Sequence, residues 1–347
     1  MYKFRKTQRT QYAYAAGVQS ADAGARQINK LLGQGQTAFL TVVVAGVLAV
    51  TVAGTGILNR GSIMAAFDEM GISENGGDRW NIDPRVLRYI AEVAAPSAST
   101  AVRATGAGVQ TTNLRETFRV YFAHPFSLTP RETNFIVSDP AQEFSFYHKL
   151  NKTNNGVANI IAGGTATLQN ISVKVSQKVD EYEGDRPKFI PTVRMTSRKV
   201  TGPDTQLEID LRGRNYLRAL VIQQDTDKGE VADIINSFTL LGDRRQLYGP
   251  EKTDFAMAQQ EEEFDWGGAM LSAPAYLYLN FQDGGRLANV WNPAQDSNLK
   301  LQFDCQPSAV AGVTSSTIRV TLLELERDAS RVDVAGQPLV SALDFPV

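Results

Sequence analysis

The sequence is poor in the residues that do most metal and thiol chemistry. It has one cysteine and two histidines in 347 residues. Cys305 alone can close no intrachain disulfide and anchor no multi-cysteine metal site. With only His124 and His148, a histidine-based zinc centre or a pair of histidine-dependent steps is not expected. No G-x-x-x-x-G-K-[ST] or G-x-G-x-x-G phosphate loop occurs, so neither a cofactor nor a metal is expected. Charge of one sign is also missing in excess. The net charge is −2, which leaves the whole molecule uncommitted to nucleic acid or to acidic membranes. Tryptophan is sparse and scattered, at Trp80, Trp266 and Trp291, whereas a sugar-binding groove calls for clustered rings beside carboxylates.

One stretch lacks charge altogether. Ala38 to Leu58, reading FLTVVVAGVLAVTVAGTGIL from Phe39, is long enough to cross a bilayer. Its Val and Thr content suits a pleated sheet and its glycines suit breaks between strands. It is expected to be a pair of strands buried on both faces. A cleaved secretory leader is not expected, because the apolar run starts too far from residue 1.

What is present is apolar material for cores, 43% of the chain with 16 Phe and 11 Tyr, and a sequence that repeats itself. VLAVTVAGTGILNRG (47–61) and ISENGGDRW (72–80) return as LRALVIQQDTDKG (217–229) and FTLLGDRRQLYGP (238–250). Asp139-Pro-Ala-Gln-Glu143 returns as Asn292-Pro-Ala-Gln-Asp296, and Ile171-Ser-Val-Lys-Val175 as Ile318-Arg-Val-Thr-Leu322. The separation between partners shrinks steadily, from 170 at Ala49/Ala219 to 147 at Ile171/Ile318. Two modules of the same element order are therefore expected, the second with shorter loops. The repeat also argues against a membrane span, since the second copy of the apolar stretch carries Arg218, Asp225, Asp227, Lys228 and Glu230.

Short alternating runs such as Leu207-Glu-Ile-Asp-Leu211, separated by Gly, Pro and Asn turns, predict antiparallel sandwiches. Asn75-Gly76-Gly77-Asp78 marks a turn. Asp83-Pro84 predicts a helix through RVLRYIAEVAA, with Asp as N-cap and Pro in the first position. Pro250 predicts a matching helix over PEKTDFAMAQQEEEF. Ser20 and Gly33 bracket a further predicted helix over Ala21–Leu32, and 95–114 read as a long loop. The expected organisation is a basic arm with a short helix at 1–35, a first module at 36–180, a connector at 181–195, a second module at 196–328 and a tail at 329–347.

The strand–Gly–strand text VLAVTVAGTGILNRGSI, the turn ENGGDRW and the closing strands NISVKV and TIRVTLLEL resemble the double jelly-roll major capsid proteins of tailless icosahedral bacteriophages with an internal membrane, the corticovirus-like group. The resemblance spans about 36–327 and is one of layout rather than of a short signature. It implies an all-β fold of two tandem antiparallel eight-stranded jelly rolls, each with a short helix in a connecting loop, plus the helical arm. It further implies homotrimers of pseudo-hexagonal outline that tile an icosahedral shell. Their partners would be neighbouring trimers and minor capsid, penton or membrane proteins of the virion, after synthesis in the host bacterial cytoplasm. No direct contact with nucleic acid is implied.

The sharpest local feature is the N-terminal stretch, where Lys3, Arg5, Lys6 and Arg9 interleave with Tyr2, Phe4, Tyr12 and Tyr14 without an acid. Its cations, Tyr12 and Tyr14 are expected to touch lipid headgroups or a neighbouring subunit. Other polar clusters read more plainly. Asp225-Thr-Asp227-Lys-Gly229-Glu230 lacks EF-hand spacing and reads as an acidic turn. Glu261-Glu-Glu263-Phe-Asp265 reads as a solvated helix end, His124 and His148 as packing residues, and Cys305 as a buried thiol. The function implied is structural, without catalysis. Readings from other classes are a two-sandwich carbohydrate-active enzyme or lectin, and a surface protein anchored through 38–58.

Overall fold

In the computed structural model, the described residues are 4–31, 35–94, 98–122, 136–138, 143–180, 189–213, 215–243, 246–253, 256, 275–281, 290–292 and 298–327. Sixteen principal strands fall into two sets of eight. The first set is β1 (Phe4–Ala13), β2 (Arg26–Lys30), β3 (Phe39–Val52), β4 (Phe67–Glu74), β5 (Gly77–Ile82), β6 (Gln110–Tyr121), β7 (Phe144–Leu150) and β8 (Thr165–Asp180), with helix α1 (Pro84–Ala94) between β5 and β6. The second set is β9 (Phe189–Val200), β10 (Asp204–Asp210), β11 (Tyr216–Thr226), β12 (Ile235–Leu241), β13 (Gln246–Lys252), β14 (Tyr276–Asn280), β15 (Lys300–Cys305) and β16 (Ser316–Arg327).

The pairing is the same in both sets. One sheet runs β1-β8-β3-β6 and faces β2-β7-β4-β5; its twin runs β9-β16-β11-β14 and faces β10-β15-β12-β13. All these pairs are antiparallel. Each set is thus a jelly roll, in which two four-stranded sheets bury one face each against the other. The repeated segments occupy matching places. The apolar openings lie in β3 and β11, the two turn segments form the β4–β5 and β12–β13 hairpins, and the closing pair forms β8 and β16. The Asp139 and Asn292 segments lie mostly outside the described residues.

Periodicity explains the cores. Along β3 every second residue is buried, so Leu40, Val42, Val44, Leu48 and Val50 enter the first core. Leu220, Ile222, Ile318, Val320 and Leu322 do the same in the second. The β4–β5 hairpin closes through Asn75 and Gly76, both at positive φ (49° and 80°). A two-residue turn matching the twist of its strands requires that geometry. The Asp83 side chain accepts the Arg85 N–H at 2.9 Å and so caps α1 as its sequence predicts.

Several expectations are corrected. Residues 39–52 form a single strand, followed only by the two-residue strand Gly56–Ile57, and the strand is buried on one face, not two. Gly46 does not break it. A Cβ there would stand 2.8 Å from the Ile63 side chain, so the glycine lets a neighbour pack closely. The predicted helix over 21–32 is absent: 21–24 are turn and β2 follows. Pairing with β7 and burial of Asn29 outweigh the weak local helix preference. The N-terminal arm is not separate, since β1 pairs with β8 along Phe4–Ala13. The supposed loop at 95–114 already contains a short strand, Thr100–Val102, and the start of β6. The connector at 181–195 ends inside β9. The helix predicted from Pro250 does not start there, because β13 continues to Lys252; Thr253 and Ala256 are helical, and the rest of that segment lies outside the described residues. The tail from 329 lies outside the described residues.

Candidate assembly interface

The two sandwiches meet along an asymmetric seam. The first contributes β5 and α1; the second contributes the outer face of its β9-β16-β11-β14 sheet. On β11 the inward positions belong to the second core. The outward residues Ala219, Val221, Gln223 and Asp225 are 4% exposed or less, because the first sandwich covers them. Val221 and Tyr276 pack into the first core cluster. Tyr89 of α1 stacks on Tyr276 of β14, with ring centroids 4.6 Å apart. Trp80 of β5 donates its indole N–H to the Pro191 carbonyl of β9 at 2.9 Å.

Charge locks the seam. The Arg85 guanidinium forks onto Asp83 (2.7 Å) and Asp225 (2.9 Å). Arg319 of β16 reaches the same two carboxylates, at 3.3 and 3.1 Å. Burial alone would raise the Asp83 carboxyl. The Arg85 charge and hydrogen bond, with Arg319, hold it below the usual carboxylate range. Glu230, whose carboxylate accepts the Tyr276 hydroxyl proton, is pushed up by burial even though Arg85 pulls against it. Beneath α1 a second network joins Arg88 and Arg103 to Glu116 at 2.8 and 2.7 Å. Sequence reading missed both networks. Asp225 stood out only as part of an acidic turn, and its partners Arg319 and Arg85 lie 94 and 140 positions away, beyond any local pattern. Asp227 of that turn instead binds Thr314 and Ser315.

The equivalent outer face of the first sandwich differs. On β3 the outward residues Thr41, Val43, Ala45, Val47 and Ala49 are all partly exposed. Flanking them on the same face are Arg115 and Arg119 of β6, Lys174 and Lys178 of β8, and Arg9 of β1. Arg9, Arg115, Lys174 and Lys178 are exposed.

The N-terminal candidates separate. Lys3 lies outside the described residues. The backbone of Arg5 and Lys6 runs in β1, with Lys6 opposite Val179. Arg9 sits opposite Ser176. Tyr12 is half-buried against Tyr14 and His148. Tyr14 is 5% exposed, and its hydroxyl donates to His148 Nδ1 at 2.7 Å. It follows the end of β1, and its N–H donates to the Ile171 carbonyl of β8 at 2.9 Å, with the ring in the first core. His148 and Cys305 are both buried, as expected. Burial pushes the Cys305 thiol up to about 11, with Asp204 and Asp304 adding to the shift. His124, Trp266 and the Glu261–Asp265 run lie outside the described residues. The anchor reading of 38–58 is overturned, because those residues supply a central sheet strand.

No family model and no curated protein matches the chain in sequence. In structure it is similar to the STIV MCP, from the Sulfolobus turreted icosahedral virus (TM-score 0.64, 11% identity, covering 92% of this chain and 95% of that one). It is similar to the PBCV-1 virus capsid (0.59, 13%, 94% and 95%) and to the major capsid protein P2 from bacteriophage PM2 (0.52, 13%, 92% and 98%). The fold is that of the double jelly-roll major capsid proteins.

Proposed function

We propose that the chain is a structural major capsid subunit of an icosahedral virus, a rigid tile that works by self-association and carries no catalysis. The observation behind this reading is the doubled jelly roll itself: the same eight-strand order twice, locked together by a buried ion-paired seam. Three such subunits give six similar wedges, enough to tile a shell from one chain. The fold likeness supports the reading, although fold alone does not fix function. An internal lipid membrane, virion minor proteins and host cytoplasmic synthesis belong to the same proposal. Within it, Lys3, Arg5, Lys6 and Arg9 are contacts to a neighbour or to anionic headgroups. No observation favours a sugar-binding enzyme or lectin, since Trp80 lies in the seam rather than in a groove. Light scattering of the purified protein tests the proposal. A mass three times the 37.9 kDa chain, or a larger particle, is expected; a stable monomer at micromolar concentration contradicts it.

A further inference from the structure

We propose that Asn75, at the tip of the β4–β5 hairpin, is a self-modification site. The backbone nitrogen of Gly76 attacks its side-chain amide and converts it to aspartate and isoaspartate.

The sequence holds two Asn-Gly pairs, Asn75-Gly76 and Asn155-Gly156. Both have positive φ throughout, 49° and 80° in the first and 50° and 72° in the second. Glycine puts no side chain in the way as its nitrogen approaches the neighbouring amide. In both pairs the Asn side-chain oxygen accepts a backbone N–H at 2.9 Å, from Glu143 at Asn75 and from Ser20 at Asn155. A donor there stabilises the oxyanion that forms when the amide carbon is attacked.

The pairs differ in everything else the reaction needs. Asn155 is 1% exposed, and its amide nitrogen donates to the Leu168 carbonyl at 2.9 Å. The Gly156 N–H is spent on the Thr153 carbonyl at 2.9 Å. Leaving group and nucleophile are both tied. Packing also fixes that turn, since a Cβ on Gly156 would stand 2.5 Å from the Ala66 carbonyl oxygen. Asn75 is exposed. Among the described residues its side chain makes one hydrogen bond, through the oxygen, so the leaving nitrogen is free. Open space surrounds the Cβ position of Gly76, which leaves the turn room to rotate.

The Gly76 nitrogen bonds to Asn75 Cγ and gives its proton to water. The Cγ–Nδ2 bond breaks, and the nitrogen leaves as ammonia, taking a proton back from water. Water then opens the cyclic imide at either carbonyl. One opening gives aspartate. The other gives isoaspartate, whose backbone runs through the former side chain and is one methylene longer. The new carboxylate joins Glu74, Asp78 and Glu143, whose cations Arg79, Arg26 and Lys30 are already engaged. The longer backbone disturbs the register of a two-residue hairpin. That hairpin aims Trp80 at Pro191 and Arg79 at Glu326 of the second sandwich.

The test is peptide mapping by mass spectrometry of the full-length protein held at mildly alkaline pH, with fragmentation that separates isoaspartate from aspartate. In the native protein Asn75 is expected to convert about a hundredfold faster than Asn155, because the buried pair must wait for local opening. In urea the two are expected to convert alike, within about threefold. The aged wild type is expected to unfold at lower urea than fresh protein, whereas Asn75→Gln keeps its midpoint through the same incubation. Asn75 that stays intact in the native protein while the urea-unfolded chain converts overturns the proposal. So does equal conversion of Asn75 and Asn155 in the native protein. Conversion with an unchanged midpoint overturns the assigned effect on the hairpin.

Discussion

The outer face of the second sandwich and that of the first have the same strands behind them and different surroundings. On the second, Val221, Gln223 and Asp225 are sealed by α1 and β5 of the same chain, and even a carboxylate is held there because Arg85 and Arg319 meet it. On the first, the equivalent strand shows Val, Ala and Thr between exposed cations. The contrast separates two ways of finishing a sheet face. A face closed internally can carry buried charge, since its partner is always present. A face that its own chain leaves open is small and uncharged at its centre here, with its charges at the rim where solvent holds them.

The largest expected effect on this contrast comes from the seam. Arg85→Ala leaves Asp83 and Asp225 buried with only Arg319 between them, and is expected to cost about 3–5 kcal/mol. The measurement is urea unfolding followed by the fluorescence of Trp80, which the seam buries. A loss under 1 kcal/mol would show that charge does not lock the two sandwiches.

Acid is expected to separate the sandwiches next. His148 Nε2 donates to Asn29 Oδ1 and its Nδ1 accepts from Tyr14, so both ring nitrogens are engaged with the ring neutral. Burial pushes its pKa down to about 3. The unfolded value is about 6.5, so the unfolded chain binds the extra proton first as pH falls. This stability is complete above about pH 6.5 and is lost progressively toward pH 3, at roughly 1.4 kcal/mol per unit. The second sandwich, 196–328, has no histidine. The first is therefore expected to melt earlier in acid, and His148→Gln to flatten its pH dependence. Equal acid sensitivity of both sandwiches would contradict this.

A smaller loss is expected at Gly71 of β4. A Cβ there would stand 1.8 Å from the Trp80 carbonyl oxygen across the hairpin. Gly71→Ala is expected to cost about 1–3 kcal/mol, with Trp80 fluorescence shifting while the second sandwich melts unchanged. The smallest effect belongs to the exposed Lys300–Glu208 pair on the second sandwich. Lys300→Ala is expected to change stability by less than about 0.5 kcal/mol, which calibrates the seam against an ordinary surface ion pair.

Much of this architecture was legible in the sequence because its signals are local. Alternation revealed β10 and β16, Asn75-Gly76 revealed a hairpin, and Asp83-Pro84 revealed the start of α1. Collinear repetition revealed the doubling, since strand order survives while loops shrink. Strands β1, β2 and β9 were hidden in supposed arm, helix and connector. Each is set by its partner strand rather than by its own pattern, as Asn29 shows: it is polar, yet buried by its bonds to His148 and Thr10. The seam was hidden for the same reason. Arg85 and Asp225 look like surface charges until a distant sheet is laid on a helix.

Thiol labelling at matched outward positions tests the central claim most directly. Cys305 is 1% exposed and provides a low background. Val221→Cys is expected to resist labelling at every concentration, because its own chain covers it. Val47→Cys is expected to label readily in the dissociated protein, because it is partly exposed there. Equal labelling of Val221→Cys and Val47→Cys in the dissociated protein would contradict a seam that seals the second sandwich's outer face and leaves its twin open.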